Sequence, residues 1–298
     1  MAARRDRVGR ISSVVAGAFR YAVFGNLFLA ACAAAWAYST YRVLGLPRGA
    51  ADYDLLALVF AGVVVVYALD RLYAFDRSPE RVVGGRLRWV DEHRRFLRTA
   101  LVLACTGVAG LLFFVNVNVL AVLAALGAVS FAYSLPVLRH FTVGLKDVGL
   151  SKVFLIALVW TCVTVLLPPL EAGAPVLTRD VELLFAERFL FVFAISLPFD
   201  IRDRDRDAAR GIRTIPVAVG VTRSKQLVGL ALVGHLWLKV VHYYPEHPAM
   251  LVPAVLTVAY ACLLLAGLSA RRGDVYYSLL WDGTILVQAV LAVGFAPR

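Results

Sequence analysis

An all-helical integral membrane bundle of nine spans is the fold class that this sequence predicts. Three observations predict it. The first is composition: 61% of the 298 residues are apolar and mean hydropathy is +0.77, well beyond what a water-soluble core requires. The second is segmentation, because nine apolar stretches approach the length needed to cross a hydrocarbon core at about 1.5 Å per residue. The third is the placement of Lys and Arg. With the N-terminus inside and the C-terminus outside, 25 of the 31 basic residues fall on the cytoplasmic side or at its edge, as the positive-inside rule requires.

The stretches follow one another with short connections. The first, 21–39, follows MAARRDRVGR, which we read as a retained cytoplasmic N-terminus and not a cleaved signal peptide, and it contains Asn26. The second, 53–72, ends beside Asp70. The third and fourth, 97–115 and 117–136, are separated only around Asn116 and should form a tight hairpin. The fifth to ninth are expected at 150–169, 181–199, 224–243, 249–268 and 275–296, the last holding Asp282 well inside it. No connection is long enough to fold as a soluble domain. Residues 1–298 are therefore expected to form one membrane-embedded unit, with two cytoplasmic loops, 71–96 and 200–223, over a polar pocket.

The net charge of +11 is assigned to topology and contact with anionic headgroups; nucleic acid is not an expected partner. Cys32, Cys105, Cys162 and Cys262 each fall inside a predicted span without CxxC spacing, so they read as small buried hydrophobes. His235 has no second His or Cys at metal spacing and reads as a satisfied polar residue.

Charge is concentrated in DIRDRDRDAARGIRT, residues 200–214, with nine charged side chains in fifteen positions. Asp200, Asp203 and Asp207 fall at about 0°, 300° and 340° if the sixth span's helix continues, forming one stripe, while Asp205 falls at about 140°. Carboxylates aligned in this way repel unless a cation sits among them, and hard oxygen donors suit Mg²⁺. The interleaved arginines can pair with the acids or grip phosphate. A solvated salt-bridge helix ending a span is the plain alternative.

The string Asp200-x-x-Asp203-x-x-x-Asp207-x-x-x-Gly211-x-Arg213-Thr214-Ile215, with Gly220 beyond, resembles the second aspartate-rich motif of the UbiA superfamily of membrane prenyltransferases. The nine-span, N-inside layout resembles that family too. The first motif departs from the family pattern of Asn-Asp-x-x-Asp-x-x-x-Asp. Here VYALDRLYAFD places Val66, Tyr67 and Ala74 where the family carries Asn, Asp and Asp, and keeps only Asp70 in register. Asp76 can join Asp70 only if the helix breaks before Pro79. The two motifs lie 130 residues apart, each after an even-numbered span, which suggests a duplicated four-helix unit.

The resemblance implies Mg²⁺-dependent transfer of a prenyl group from an isoprenyl diphosphate to a lipophilic, aromatic acceptor, with release of pyrophosphate, in a multi-pass protein of the cell's inner membrane. It implies Asp70, Asp76, Asp200, Asp203 and Asp207 as metal ligands. It also implies Arg71, Arg77, Arg139, Lys146 and Arg213 as diphosphate contacts, with Asp70, the Asp200 stripe, Arg213 and Lys146 central to catalysis. Lys152 is a further basic residue near the same level. Asn26, Tyr67, Tyr133 and Asp282 are candidate pocket residues, and Phe131, Tyr73 and Phe199 are further aromatics at the level of the reacting carbon. A terpene cyclase using the same ionisation, a transporter and a non-catalytic scaffold remain alternatives.

Overall fold

The computed structural model describes residues 17–47, 49–76, 85–134, 148–269 and 272–297. Arg77, Arg139 and Lys146 lie outside them, as do the side chains of Tyr73, Asp76, Phe131 and Tyr133. The helices are α1 (Gly17–Phe24), α2 (Leu27–Val43), α3 (Ala50–Asp76), α4 (Gly85–Glu92), α5 (Arg94–Leu111) and α6 (Val117–Ser134). Next come α7 (Val148–Thr161), running through a π turn (Cys162–Leu166) into α8 (Leu167–Glu171), then α9 (Arg179–Ala209), α10 (Ile215–Tyr243) and α11 (Leu251–Ala266). A second π turn (Tyr276–Trp281) leads into α12 (Asp282–Phe295). Every described element is helical.

Four helical segments are long and apolar enough to cross a membrane: Asp52–Leu72, Gly149–Glu171, Pro248–Ala266 and Tyr276–Phe295. The pair α1 and α2, bent by 60° at Gly25–Asn26, makes a fifth if it counts as one broken span. The other predicted stretches are helical but do not meet that test. Glu187, Arg188 and Lys239 interrupt α9 and α10, and Val117–Val129 is apolar but short. Large apolar side chains such as Leu103, Leu230, Trp237 and Leu263 face outward, as a lipid-facing surface would have them.

The chain turns at Asn116 as expected, but α5 and α6 do not form a closely packed hairpin: α5 lies against α3 and α4, and α6 against α8. Asn116 Oδ1 accepts from the Asn118 amide (2.9 Å) as α6 begins, and the Asn116 amide donates to Glu171 (2.8 Å), tying the turn to α8. The expected loops are mostly helix. The segment 200–223 is helical through Ala209 and again from Ile215, and 85–92 forms α4, because few turn-forming residues interrupt these charged stretches.

The central element is α9. Thr178 caps its start by accepting from the Val181 amide (3.3 Å), and Asp180 and Glu182 occupy its first turn, where the helix dipole favours acids. It packs between α10 and α7. Its Phe191, Ile195 and Leu197 meet Trp36 of α2, Val153 of α7, Leu232 of α10 and Trp281 ahead of α12 in the main core.

A second feature of α9 is a buried polar network about 20 Å along the helix from Asp200, by the rise per residue. Lys239 Nζ donates to Glu187 Oε1 at 2.7 Å, and the Tyr243 hydroxyl donates to the same oxygen at 3.3 Å. His235 Nδ1 donates to the Glu187 carbonyl (2.7 Å), which leaves Nε2 to accept from Gln288 Nε2 (3.0 Å). Arg188 lies over the Trp36 ring and donates to the carbonyls of Trp36 (3.0 Å) and Thr164 (2.9 Å) and to Ser39 Oγ (2.8 Å). Buried charges need such partners.

Candidate functional site

The site begins where the apolar part of α9 ends. Pro198 removes one backbone donor there, yet the helix continues, so Asp200, Asp203 and Asp207 do share a face. Asp205 is 91% exposed and weakly paired with Arg204 (3.7 Å). The stripe ends in a Schellman turn: the Gly211 amide donates to Ala208 (3.0 Å) and the Ile212 amide to Asp207 (2.9 Å), with Gly211 at φ 70. That left-handed conformation strains any residue with a Cβ, which explains the glycine after the acids. Thr214 then opens α10 with Pro216 in its first turn, and Gly220 at φ 84 breaks the helix one turn later.

A close approach seats this turn. A Cβ on Gly149 of α7 would lie 2.7 Å from the carbonyl carbon and oxygen of Arg213 and 3.1 Å from the Thr214 amide nitrogen. Only a glycine lets α7 meet that backbone. Three residues along α7, Lys152 Nζ donates to Asp200 Oδ1 at 2.9 Å.

The three stripe acids have different surroundings. Asp200 is 2% exposed, and its second oxygen, Oδ2, is buried without a hydrogen-bond partner. Burial raises its pKa above the ordinary carboxylate value, and Lys152 opposes that rise. Asp203 takes both Arg202 Nε (3.0 Å) and Nη2 (2.9 Å), with Arg206 at 3.7 Å. Arg202 also lies 3.8 Å from Asp274 and over the rings of Tyr277 and Phe199. Asp207 is raised by burial too; Lys152 counters this, and the charges of Asp200 and Asp203 add to it. Among the described residues, no group of three or more His, Cys, Asp and Glu is arranged to hold a metal ion. Carboxylate oxygens fit Mg²⁺ in kind, and the unpartnered oxygen of Asp200 fits it in place. The oxygens of Asp203 are held by Arg202.

Arg213 is exposed and lines an open groove with Ala208, Gly211, Ile212 and Val217. Asp70 is exposed near the end of α3, with Arg71 half-buried beside it. Because α3 packs on α2 and α5 and not closely on α9, helix packing does not bring Asp70 and the stripe together. The backbone of α3 is helical through Asp76, so the break that Asp76 needed does not occur ahead of it. Tyr67 is half-buried and its hydroxyl accepts from Trp160 Nε1 (3.3 Å). Asp282 is the electrostatic neighbour of both Tyr67 and Cys32. Asn26 sits at φ 65 in the bend between α1 and α2, 1% exposed, with both amide atoms lacking hydrogen-bond partners.

The family model described as the UbiA prenyltransferase family matches residues 47–275, most of the chain. The chain belongs to the UbiA prenyltransferase family. No curated protein matches at a significant level. This UbiA family chain is also similar to a solved structure from work on digeranylgeranylglyceryl phosphate synthase in membranes, with TM-score 0.53 and 15% identity over 92% of this chain and 98% of the other. At that identity the likeness establishes the fold. For the UbiA chain, residue spacing identified the stripe but missed three contributors: Gly149, the Arg202 and Asp274 contact, and Tyr277. Gly149 carries no sequence signal beyond being a glycine. Arg202 was legible only as one of several arginines, since its partner Asp274 lies far along the chain.

Proposed function

We propose that this UbiA family protein transfers a prenyl group from an isoprenyl diphosphate to a lipophilic acceptor, in a Mg²⁺-dependent reaction that releases pyrophosphate. The observation that carries the reading is Asp200: a carboxylate buried at the end of a long helix, with one oxygen on Lys152 and the other unpartnered. Desolvating a carboxylate is costly, and a site for a cation accounts for the arrangement. Asp200 and Asp207 would hold the ion, with Asp203 joining once Arg202 turns from it. When bound, Mg²⁺ supplies charge that stabilises the departing pyrophosphate.

This chain's own residues do the rest. Arg202 and Arg213 lie within and just beyond the stripe, and once a diphosphate is bound their guanidinium groups offer it bidentate contacts. Asp70, near the end of α3, would hold a second ion, and a diphosphate would bridge it to the stripe. Tyr67 and Trp160 present aromatic surface to the allylic carbon, where a developing cation gains from aromatic faces and from exclusion of water. Bonding changes are simple: the allylic carbon–oxygen bond breaks, its electron pair leaves with pyrophosphate, and the acceptor supplies the new pair and loses a proton.

For orientation we propose nine spans with the N-terminus inside the inner membrane, on the charge bias alone. Reporters fused after Arg213 should then read cytoplasmic and those after Pro245 periplasmic. Both on one side would refute it. The function is tested by incubating purified protein and Mg²⁺ with prenyl diphosphates of several lengths, together with a membrane lipid extract or aromatic acceptors. We expect pyrophosphate release and a prenylated product by mass spectrometry, both dependent on acceptor. Acceptor-independent release with a cyclised hydrocarbon would identify a cyclase, and no release would overturn the reading.

A further inference from the structure

Basic side chains already pair with acids of the stripe without any metal. Lys152 pairs with Asp200, Arg202 with Asp203 and Asp274, and Arg206 with Asp203. Lys152 differs from the two arginines. It comes from α7 and not from the acid-bearing helix, its contact is with the buried Asp200, and its charge also reaches Asp207. The Lys152 side chain is 40% exposed while that of Asp200 is 3% exposed. The ammonium therefore has a way out to solvent and the carboxylate does not.

We infer that the Lys152 ammonium is a tethered cation that neutralises Asp200 where a divalent ion otherwise would, so that metal binding here is a competition with Lys152. A divalent ion on Oδ2 would stand next to an ammonium on Oδ1 of the same buried carboxylate, and two cations that close repel strongly where water does not screen them. When a divalent ion arrives, Lys152 must leave Asp200, and its flexible stem and exposure allow it to swing toward solvent or a bound phosphate. Without the ion, Lys152 keeps the acid helix from losing stability to an uncompensated buried charge. The inference rests on the proposed metal-dependent reading of the site, and its test does not use product formation.

Mn²⁺ alone serves as the probe, its binding followed by electron paramagnetic resonance on the purified full chain in detergent. Lys152→Gln should bind Mn²⁺ at least tenfold more tightly than wild type, while Lys152→Arg, which keeps the charge, should stay within about threefold. Arg204→Gln removes one positive charge from the acid-bearing helix itself, where its pairing is with the exposed Asp205, and should also stay within about threefold. Equal affinity in Lys152→Gln and wild type would overturn the inference, and so would an equal gain in Arg204→Gln, which would reduce the effect to general electrostatics. A second measurement needs only wild type. Amine acylation of Lys152, referenced to Lys225 and read by mass spectrometry, should rise several-fold when Mn²⁺ is added. Unchanged labelling at saturating Mn²⁺ would refute the exchange even if Lys152→Gln failed to fold. A chain that shows the exchange but forms no prenyl product would defeat the functional reading alone.

Discussion

Replacing Lys239 with Met should unfold this protein at a markedly lower temperature, because it strands Glu187 in the core. Glu187 is 0% and Lys239 6% exposed, with their charged atoms 2.7 Å apart. At an effective dielectric of about 20, that separation corresponds to roughly 6 kcal/mol of Coulomb attraction. The loss is smaller than that, since Tyr243 still donates to Glu187 and His242 lies at 3.6 Å. About 3–5 kcal/mol is the expected cost of breaking a buried pair from one side, a fall in melting temperature on the order of 10 °C. The cysteines provide the assay. All four are free; Cys105 and Cys262 are exposed, while Cys32 and Cys162 are buried. A thiol-reactive fluorophore should label two cysteines at once and the other two only on unfolding. The double variant Glu187→Gln with Lys239→Met should recover most of the loss, because neither partner then carries an unpaired charge. A shift below about 2 °C in Lys239→Met, or a double variant as damaged as the two singles combined, would refute the reasoning.

Gly149→Ala should cost about 1–3 kcal/mol by overpacking against the Arg213 backbone. Gly107→Ala in α5, where a Cβ meets nothing within 4 Å, should be neutral or stabilising in the same thiol assay. Asn26→Gly relieves a left-handed asparagine and removes two unpartnered amide atoms, so it should raise the melting temperature; if turnover also collapses, Asn26 is a substrate contact. Asp203→Asn should lower turnover at least tenfold per folded molecule, measured by pyrophosphate release, whereas Asp205→Asn, exposed and off the stripe, should change it less than threefold.

What the sequence made legible follows the range of each physical signal. Helical periodicity acts over a few residues, so the common face of Asp200, Asp203 and Asp207, the outlying Asp205 and the turn at Asn116 could all be read from spacing. Gly211 and Gly220 could be placed by motif, and the structure supplies their cause in positive φ. Long-range pairings left no such trace. Nothing local to Lys152 points to Asp200, 48 positions away, and nothing near Glu187 points to Lys239. The charges inside 181–199 and 224–243 were visible, and the cost of burying them meant that each needed a partner. Only the packing says which: α9 against α10 pairs Glu187 with Lys239, and α9 against α2 and the π turn gives Arg188 its acceptors. The connection 200–223 reads with the sixth span's helix continuing through the aspartates, and it does continue to Ala209.

The two ends of α9 are linked by the register of its neighbour. Lys152 of α7 bonds Asp200, and the carbonyl of Thr164, in the π turn that continues α7, accepts from Arg188. From 152 to 164 and from 200 back to 188 the chain advances by the same twelve positions, so the two helices run antiparallel, tied at matched levels about 18 Å apart. The far tie uses a fork: Arg188 reaches Trp36 and Thr164 with one nitrogen and Ser39 with the other, binding α2 and the π turn together. A lysine at 188 could supply the charge but not that geometry. Sliding α7 by a single residue along α9 would move Lys152 by about 1.5 Å, beyond hydrogen-bond reach of Asp200 for an unchanged side chain, and would carry Gly149 away from the Arg213 backbone. The buried arginine, remote from any reacting group, therefore helps to set where the ammonium meets the acid stripe, and this is why charge placed so deep in an apolar bundle bears on the chemistry at its other end.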